Sequence, residues 1–400
     1  MKVLVINSGS SSIKYQLFDM TDEGVLAKGL VERIGIEGSM LTHTPANSDK
    51  VVIKQDIPDH SIGIKLVLDA LISSRYGVIK SMDEISAVGH RIVQGGSIFP
   101  KSAYVNEKTK EGIKELFTLG PLHNPPAYTG IEACEKVLPG VPMVAVFDTS
   151  FHQTMPSKAF MYSLPYEYYE KYAIRRYGAH GTSHKYVAYR AAELAGEPIE
   201  NLKIVTCHLG NGSSITAVDG GKSVDTSMGL TPLAGVTMGT RCGDIDPAIV
   251  PFIMEKEGLT PKEMDTIMNK KSGVLALSGV SSDFRDIEGS ANEGNERSKL
   301  ALEKFAYDVK KYIGAYSAAL NGLDILVFTA GLGEDSYTMR ESICKDLDFL
   351  GIKIDVDKNK VRGQEVEVTA PGSKVRVFVI PTNEEVVIAR ETKEIVESLK

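Results

Sequence analysis

The feature that most constrains this 400-residue chain is a strand, glycine loop, strand pattern that occurs twice, about half a chain apart. In the first copy Val3, Leu4, Val5 and Ile6 form an apolar run of the kind that fills a buried strand. Asn7-Ser8-Gly9-Ser10-Ser11-Ser12 follows as a polar loop, and Ile13, Tyr15 and Leu17 then alternate with polar residues as a second strand would. Glycine lets the backbone turn tightly, so N–H groups, hydroxyls and an amide can converge on an anion such as a phosphate. Taken alone, the stretch is explained better as a polar turn between two strands. The second copy runs from Ile204 to Ile215 with one residue inserted, setting His208 against Asn7 and Gly210 against Gly9. A repeated hairpin at this separation, in a chain longer than one hydrophobic core usually supports, predicts two related α/β domains. We place them at 1–150 together with 385–400, and at 151–384.

Composition narrows the partners. The chain is 42% hydrophobic and 24% charged with a net charge of −7, so it lacks the basic balance that phosphate-backbone binding needs, and no nucleic acid partner is expected. No apolar run approaches the roughly 18 residues of a membrane span, and no membrane association is expected. The N-terminus enters a strand directly, without a leader pattern. Cys134, Cys207, Cys242 and Cys344 are scattered without CxxC spacing, which fits reduced core thiols and a cytoplasmic location.

Along the chain, residues 1–55 read as β with turns at Asp22 to Gly24 and Gly35 to Gly38, and Ser61 to Tyr76 reads as a helix. Ile85 to Val93 is an apolar strand carrying His90 and Arg91. A charge at the end of a buried run is costly unless paired, so Arg91 is either a partnered functional group or a solvated edge position. Helical patterns follow at 107–119 and 126–137. The strand Met143 to Phe147 then ends in Asp148, at the strand end where α/β sheets bind ligands, or in a simple Asx-turn. RRYGAHGTSH at 175–184 brings His180 and His184 four apart, with Ser183 read as the cap of the next helix; zinc is discounted because the HExxH glutamate is absent. Gly220-Gly221-Lys222-Ser223 imitates the end of a P-loop but lacks its first glycine, and reads as a strand-to-strand turn. Arg241 stands between glycines in a stretch without secondary-structure signal. Ser298 to Leu320 is a strongly periodic helix stopped by Asn321-Gly322. After the strand Ile325 to Phe328, Thr329 to Asp335 reads as a glycine loop, weak as a dinucleotide motif. Val375 to Ile380 is a last strand, and Thr382 with Glu385 forms a capping box that puts Glu384 in a helix first turn. Two glycine hairpins, the acids Asp148 and Glu384, and arginines at 91 and 241 are the inventory of phosphoryl transfer, where catalysis is mainly positioning and charge stabilisation.

The motifs that carry these residues resemble those of the acetate kinases over essentially the whole chain: VLVINSGSSSIKY at the start, GHRIVQGG at 89–96, LHNPP at 122–126, FDTSFH at 147–152, RRYGAHGTSH at 175–184, HLGNGSS at 208–214, MGTRCGDIDP at 238–247, SGVSSDFRDI at 278–287 and TAGLGEDS at 329–336. The resemblance implies an α/β fold of two duplicated actin-like ATPase (ribonuclease H-like) domains with a nucleotide cleft between them. It also implies reversible, magnesium-dependent, in-line transfer of the ATP γ-phosphoryl group to acetate, giving acetyl phosphate and ADP. Asp148, Arg91, Arg241 and His180 would then be catalytic, and Asn7, Asp148 and Glu384 would organise Mg²⁺, with Mn²⁺ as an alternative. Arg91 with Val93, Leu122 and Pro232 would hold acetate, and His123 and His208 would line the channel of the transferring group beside His180 and Arg241. Nucleotide would be held by Lys14, by His208, Leu209, Gly210, Asn211 and Gly212, by Asp283, Phe284 and Arg285, and by Gly331, Leu332, Gly333, Glu334 and Asp335. Ala179 stands where some relatives have phenylalanine in the acyl wall, and Asp335 where asparagine is usual. The resemblance further implies a homodimer. The alternatives are a propionate or butyrate kinase of the same family and, more remotely, a nucleotide-switch ATPase.

Overall fold

The computed structural model describes residues 1–399, which form two compact units, 1–150 with 383–399, and 151–382. In the first unit the apolar runs become β1 (Lys2–Ser8), β2 (Ser12–Asp19), β3 (Gly24–Glu32), β4 (Met40–Pro45), β5 (Val51–Lys54), β6 (Ile85–Ile92), β7 (Ala103–Tyr104) and β8 (Met143–Phe147). They make one eight-stranded sheet in the order β5-β4-β3-β2-β1-β6-β8-β7. β1 pairs antiparallel with β2 and parallel with β6, which in turn runs parallel to β8. Helices 60–71 and 124–137 cover one face through Ile64, Leu68 and Ile131. The C-terminal helix, Glu384–Ser398, packs across β1, β6 and β8 on the other. Because both faces are covered, β8 is buried at every position and reads in sequence as a continuous apolar run.

The second unit holds β9 (Lys203–Leu209), β10 (Ser213–Asp219), β11 (Lys222–Thr226), β12 (Ile325–Thr329), β13 (Val366–Glu367) and β14 (Arg376–Val379), ordered β11-β10-β9-β12-β14-β13. Its β9–β10 hairpin is antiparallel, and β9, β12 and β14 are parallel. That is the course of β3-β2-β1-β6-β8-β7 repeated, so the duplication signalled by the two hairpins extends to the whole sheet. Helix 296–319 buries Phe305, Val309 and Ile313 on one face, and helix 181–195 buries Val187 and Ala191 on the other. The turn between β10 and β11 uses Gly220 and Gly221, both at positive φ, as a two-residue hairpin requires. Helix 296–319 is stopped by Asn321 at φ 53°, with the Gly322 N–H donating to Ser317 O as a Schellman cap does. Cys134, Cys207 and Cys344 are buried thiols without disulfides. No helix among the described residues is long and apolar enough to cross a membrane.

Four local expectations are corrected. The first helix ends at Leu71 rather than Tyr76, because Leu71 O accepts from both Val78 and Ile79 N–H as the chain turns back. Residues 330–335 form a short helix rather than a loop. The helix after RRYGAHGTSH begins at Gly181, with His180 in its N-cap position at φ 57°, so Ser183 lies within the first turn and does not cap. At the C-terminus the cap is Asn383, whose side chain accepts from Val386 N–H, and the Thr382–Glu385 capping box does not form. Asparagine competes with threonine for that role with equal chemistry, one residue later. Glu384 consequently belongs to the first unit, whereas the boundary read from sequence put it in the second.

Candidate active site

In the first unit three parallel strands end side by side and deliver their polar residues together. Ile6 on β1 pairs with His90 on β6, so Asn7 lies level with Arg91, and Ile92 pairs with Phe147 on β8 just before Asp148. The Asp148 side chain is 1% exposed and takes Arg91 in a two-pronged pair, Nε to Oδ1 at 3.1 Å and Nη2 to Oδ2 at 2.7 Å. Nη2 also lies 3.7 Å from Glu384 Oε1, on the first turn of the C-terminal helix. Among the described residues the third guanidinium nitrogen, Nη1, has no hydrogen-bond partner. Burial works against the charge on Arg91, but Asp148 and Glu384 outweigh it and raise its pKa. Burial pushes the Asp148 carboxyl up to about 6; Arg91 opposes this and the Glu384 charge adds to it. The edge alternative for Arg91 and the Asx-turn alternative for Asp148 both give way to this ion pair.

Two carboxylates around one guanidinium leave surplus negative charge, which is the donor set a hard divalent cation would offset. Among the described residues no three acidic, histidine or cysteine side chains converge into a protein-only cage. Mg²⁺ does not need one, since it is commonly held by one or two carboxylates and substrate phosphates. The set therefore fits the metal.

Val93 lies half-buried just past β6, and the buried Asn124 ties this turn to the next helix: its Oδ1 accepts from Gln94 N–H at 3.0 Å and its Nδ2 donates to Gln94 O at 2.8 Å. His123 is the N-cap residue of helix 124–137, and Leu122 before it is 59% exposed. The asparagine of LHNPP is therefore the clamp of this turn, a role no local pattern signals.

The second unit assembles a different set around its hairpin. His208, next to the end of β9, stacks on His180 with ring centroids 4.0 Å apart. His180 Nδ1 and His184 Nε2 meet the Ser214 hydroxyl at 2.9 and 2.7 Å. His208 Nδ1 meets Ser183 Oγ at 2.8 Å, which explains why a serine stands at that position without capping. His152 is bonded through both ring nitrogens, to Ser223 Oγ and Ala179 O. Burial lowers the pKa of His152 to about 4 and that of His184 well below the usual range, so both are neutral. His152 was not among the sequence candidates and His184 was weighed there only as a zinc ligand; FDTSFH carries the first in plain view, but nothing local distinguishes a core histidine from a ligand. Ala179 is buried with Met228 and Met238.

Arg241 differs from Arg91 in having no acid. Its Nη1 donates to Pro232 O at 2.7 Å, no salt bridge among the described residues reaches it, and burial lowers its pKa. A Cβ added to Gly212 would lie 2.9 Å from Arg241 Nη2 and 3.6 Å from His180 Cε1, so this hairpin glycine permits the approach of both. The segment carrying Arg241 is no loose surface loop: Gly239 N–H donates to Asn211 O and Cys242 N–H to Met268 O.

The same hairpin opens a cavity of about 610 Å³. Gly210 and Asn211 line it from the hairpin, Asp283, Phe284 and Arg285 from the start of helix 284–292, and Gly331, Leu332 and Asp335 from the short helix after β12. Asp283 caps helix 284–292, and its carboxyl, bonded by Arg285, is held down at about 2. A Cβ at Gly331 would meet nothing within 4 Å, so glycine there leaves the cavity open. Of the other expected nucleotide residues, His208, Leu209, Gly212, Gly333 and Glu334 do not line the cavity: Leu209 belongs to the core and Glu334 Oε1 accepts from Thr382 N–H. Lys14 lies in the first unit, exposed on β2 opposite Asn7. Ser282, Glu288, Ser336 and Arg362 line the cavity and were missed. Ser336 announces itself as the cap of helix 337–344, but Arg362 carries no local signal.

A family model described as the acetokinase family matches residues 2–390. The chain is 66% identical to an acetate kinase of Moorella thermoacetica over all of both chains. It is 62% identical to one of Methanosarcina acetivorans over all of this chain and 98% of that one. Among solved structures it is similar to the crystal structure of Porphyromonas gingivalis acetate kinase, with 49% identity, TM-score 0.94 and 99% of each chain covered. It is also similar to a propionate kinase from Francisella tularensis, with 41% identity, TM-score 0.92 and coverage of 98% and 99%.

Proposed function

This chain belongs to the acetokinase family, and we propose that it transfers the γ-phosphoryl group of ATP reversibly to acetate, giving acetyl phosphate and ADP. The observation that carries the reading is the end-to-end 66% identity to an acetate kinase in a chain whose two arginines stand ready for anions. An acetate oxygen attacks the γ-phosphorus in line, the bond to the β,γ-bridging oxygen breaks, and ADP leaves with that oxygen. Arg91, fixed by Asp148 through two of its nitrogens, presents Nη1 to the carboxylate. Arg241, a cation without a counter-ion, neutralises charge spread over the transferring group, as phosphoryl transfer requires. His180, held by Ser214, donates a further hydrogen bond there, and His208 stacked on it fixes its plane. Val93, Leu122 and Pro232 shape the wall around the acetate methyl group, with His123 beside them.

Asp148 and Glu384, with Asn7, would hold Mg²⁺ (or Mn²⁺). When bound, the cation offsets phosphate charge and orients the phosphate chain. The 610 Å³ cavity takes the adenosine end of the nucleotide, with Asn211 and Gly210 toward its phosphates and Asp283 to Arg285 and Gly331 to Asp335 around the rest. We also propose that the protein is a cytoplasmic homodimer, which size-exclusion chromatography with light scattering would check as a mass twice 43.4 kDa.

The test is formation of acyl phosphate, trapped as the hydroxamate, from acetate, propionate and butyrate in parallel. Acetate should have the highest kcat/KM and drive ADP release. A single methylene in such a pocket is worth about 1–3 kcal/mol, so propionate should follow within about 10–200-fold. A higher kcat/KM for propionate, as the similarity to a propionate kinase and the small Ala179 would then explain, would reassign the substrate. ADP release independent of any carboxylate would point to the switch ATPase.

A further inference from the structure

Among the described residues Arg340 is the largest fully buried side chain, 0% exposed, and forms no salt bridge. It projects from helix 337–344 into the space behind the cavity wall, and its donors go to neutral acceptors on two separate segments. Nη1 donates to Gly333 O at 2.8 Å and Glu334 O at 3.0 Å, at the end of the short helix 330–335. Nε donates to Asn359 Oδ1 at 2.7 Å, and Nη2 to Asn359 O at 2.7 Å and Val361 O at 3.0 Å. Asn359, itself fully buried, returns its Nδ2 to Tyr337 O and Glu341 Oε1, so helix 337–344 and the 359–361 stretch are bound to each other as well. Gly363 N–H donates to Glu334 O, closing the link between the two segments.

Those two segments carry Gly331, Leu332 and Asp335 on one side and Arg362 on the other, all lining the cavity. A buried guanidinium without an acid is an expensive way to fill space, and burial lowers its pKa to about 10. An apolar side chain would fill the volume without that cost, but could not tie the carbonyls of two separate segments to one rigid group. Lysine could not span them either, since its donors radiate from one point.

We propose that Arg340 is a positioning residue for the nucleotide: it fixes the spacing between the 331–335 and 359–362 walls, and so sets affinity for the nucleoside end and discrimination among nucleoside triphosphates. The proposal rests on the cavity being the nucleotide site. Arg340→Met should raise the KM for ATP about tenfold or more, with the acetate KM and the kcat at saturating ATP within about twofold, because the reacting groups are untouched. The preference for ATP over GTP and CTP, as a ratio of kcat/KM, should shrink in the same variant, and a fluorescent ADP analogue should bind correspondingly more weakly. Arg340→Lys should restore only part of each. Asn359→Ala, which removes one acceptor and keeps the arginine, should move ATP KM in the same direction by about threefold, and decides the matter if the Arg340 variants do not fold. Unchanged ATP KM in a folded Arg340→Met or in Asn359→Ala overturns the proposal, as does an equal rise in both substrates' KM. Gly331→Leu, which fills the cavity, separates the two readings: if it leaves nucleotide binding intact, the cavity is not the nucleotide site, whereas weakened binding there with unaffected Arg340 and Asn359 variants sinks the positioning role alone.

Discussion

The two sheets run the same course, yet the arginines associated with them are held in opposite ways. Arg91 ends its strand clasped by Asp148 and approached by Glu384, so most of its charge is spoken for before any ligand arrives. Arg241 comes from an irregular segment and donates to one carbonyl, with no acid in reach. Duplicated topology thus carries unlike electrostatics: the first unit fixes its cation within an acid-rich cluster, and the second leaves its cation uncompensated beside a hairpin and a histidine stack. An uncompensated half-buried charge destabilises the empty protein and is relieved only by an anion, which is how a site reserves binding energy for a charged transition state.

Replacing each arginine breaks the comparison most sharply. Arg241→Ala should lower kcat by on the order of 10³–10⁵, the range credited to an arginine finger, while leaving the thermal midpoint unchanged or raised, since it removes a charge without a partner. Arg91→Ala should lose comparable activity but also stability, by about 3 kcal/mol, because Asp148 is left buried and unpaired. Urea melts with kinetics on both variants decide: equal stability losses would mean that the two cations are held alike. Near-normal turnover in both would remove arginine from the mechanism.

How much of this could be read beforehand follows from range. The hairpins, the long helix 296–319 and strands such as Met143–Phe147 are local patterns, and the sequence shows them. The pairing of Arg91 with Asp148 depends on residues 57 apart brought level by parallel register, which no local pattern encodes; only their places at strand ends hinted at it. Arg362, Glu288 and Asn124 act through tertiary neighbours and were silent. The two misread helix starts both turn on tertiary bonds: Ser183 is taken by His208 and Thr382 by Ser183, so the first of these helices begins after His180 without a side-chain cap and the last is capped by Asn383.

Buried histidines sharpen the comparison next. His90 in the first unit leaves its ring Nε2 buried without a partner among the described residues, and burial pushes its pKa to about 3. His152 in the second is bonded at both nitrogens, with its pKa lowered by burial to about 4. A histidine whose folded pKa lies below its unfolded value of 6.5 leaves the unfolded chain holding the extra proton between those values. Stability from the neutral ring is thus full above about 6.5 and falls as pH drops toward 4, by about 3 kcal/mol for His152 alone. Urea midpoints between pH 7 and 4.5 should decline accordingly. His90→Leu should flatten the decline at little cost at pH 7, whereas His152→Leu should flatten it but lose about 1–3 kcal/mol at pH 7 by stranding Ser223 and Ala179 O. Identical behaviour of the two variants would contradict the difference in bonding.

The smallest effect concerns the hairpins themselves. Gly9 N–H already donates to Ser12 O at 2.8 Å, so the first loop closes on itself, and a Cβ there would meet the Ser12 hydroxyl at 3.0 Å and Ser12 O at 3.7 Å. A Cβ on Gly212 would press on Arg241 Nη2 at 2.9 Å, the movable end of a side chain that has one anchor. The fold should therefore tolerate both alanines, with melting temperatures close to the parent's. Catalysis should not: Gly212→Ala should lower kcat on the order of tenfold by displacing the guanidinium, and Gly9→Ala by no more than about twofold. An Arg241→Ala background provides the control, because in it Gly212→Ala has no guanidinium to displace and should cost nothing further; an additive loss in the double variant would place the effect of Gly212 in the hairpin backbone instead.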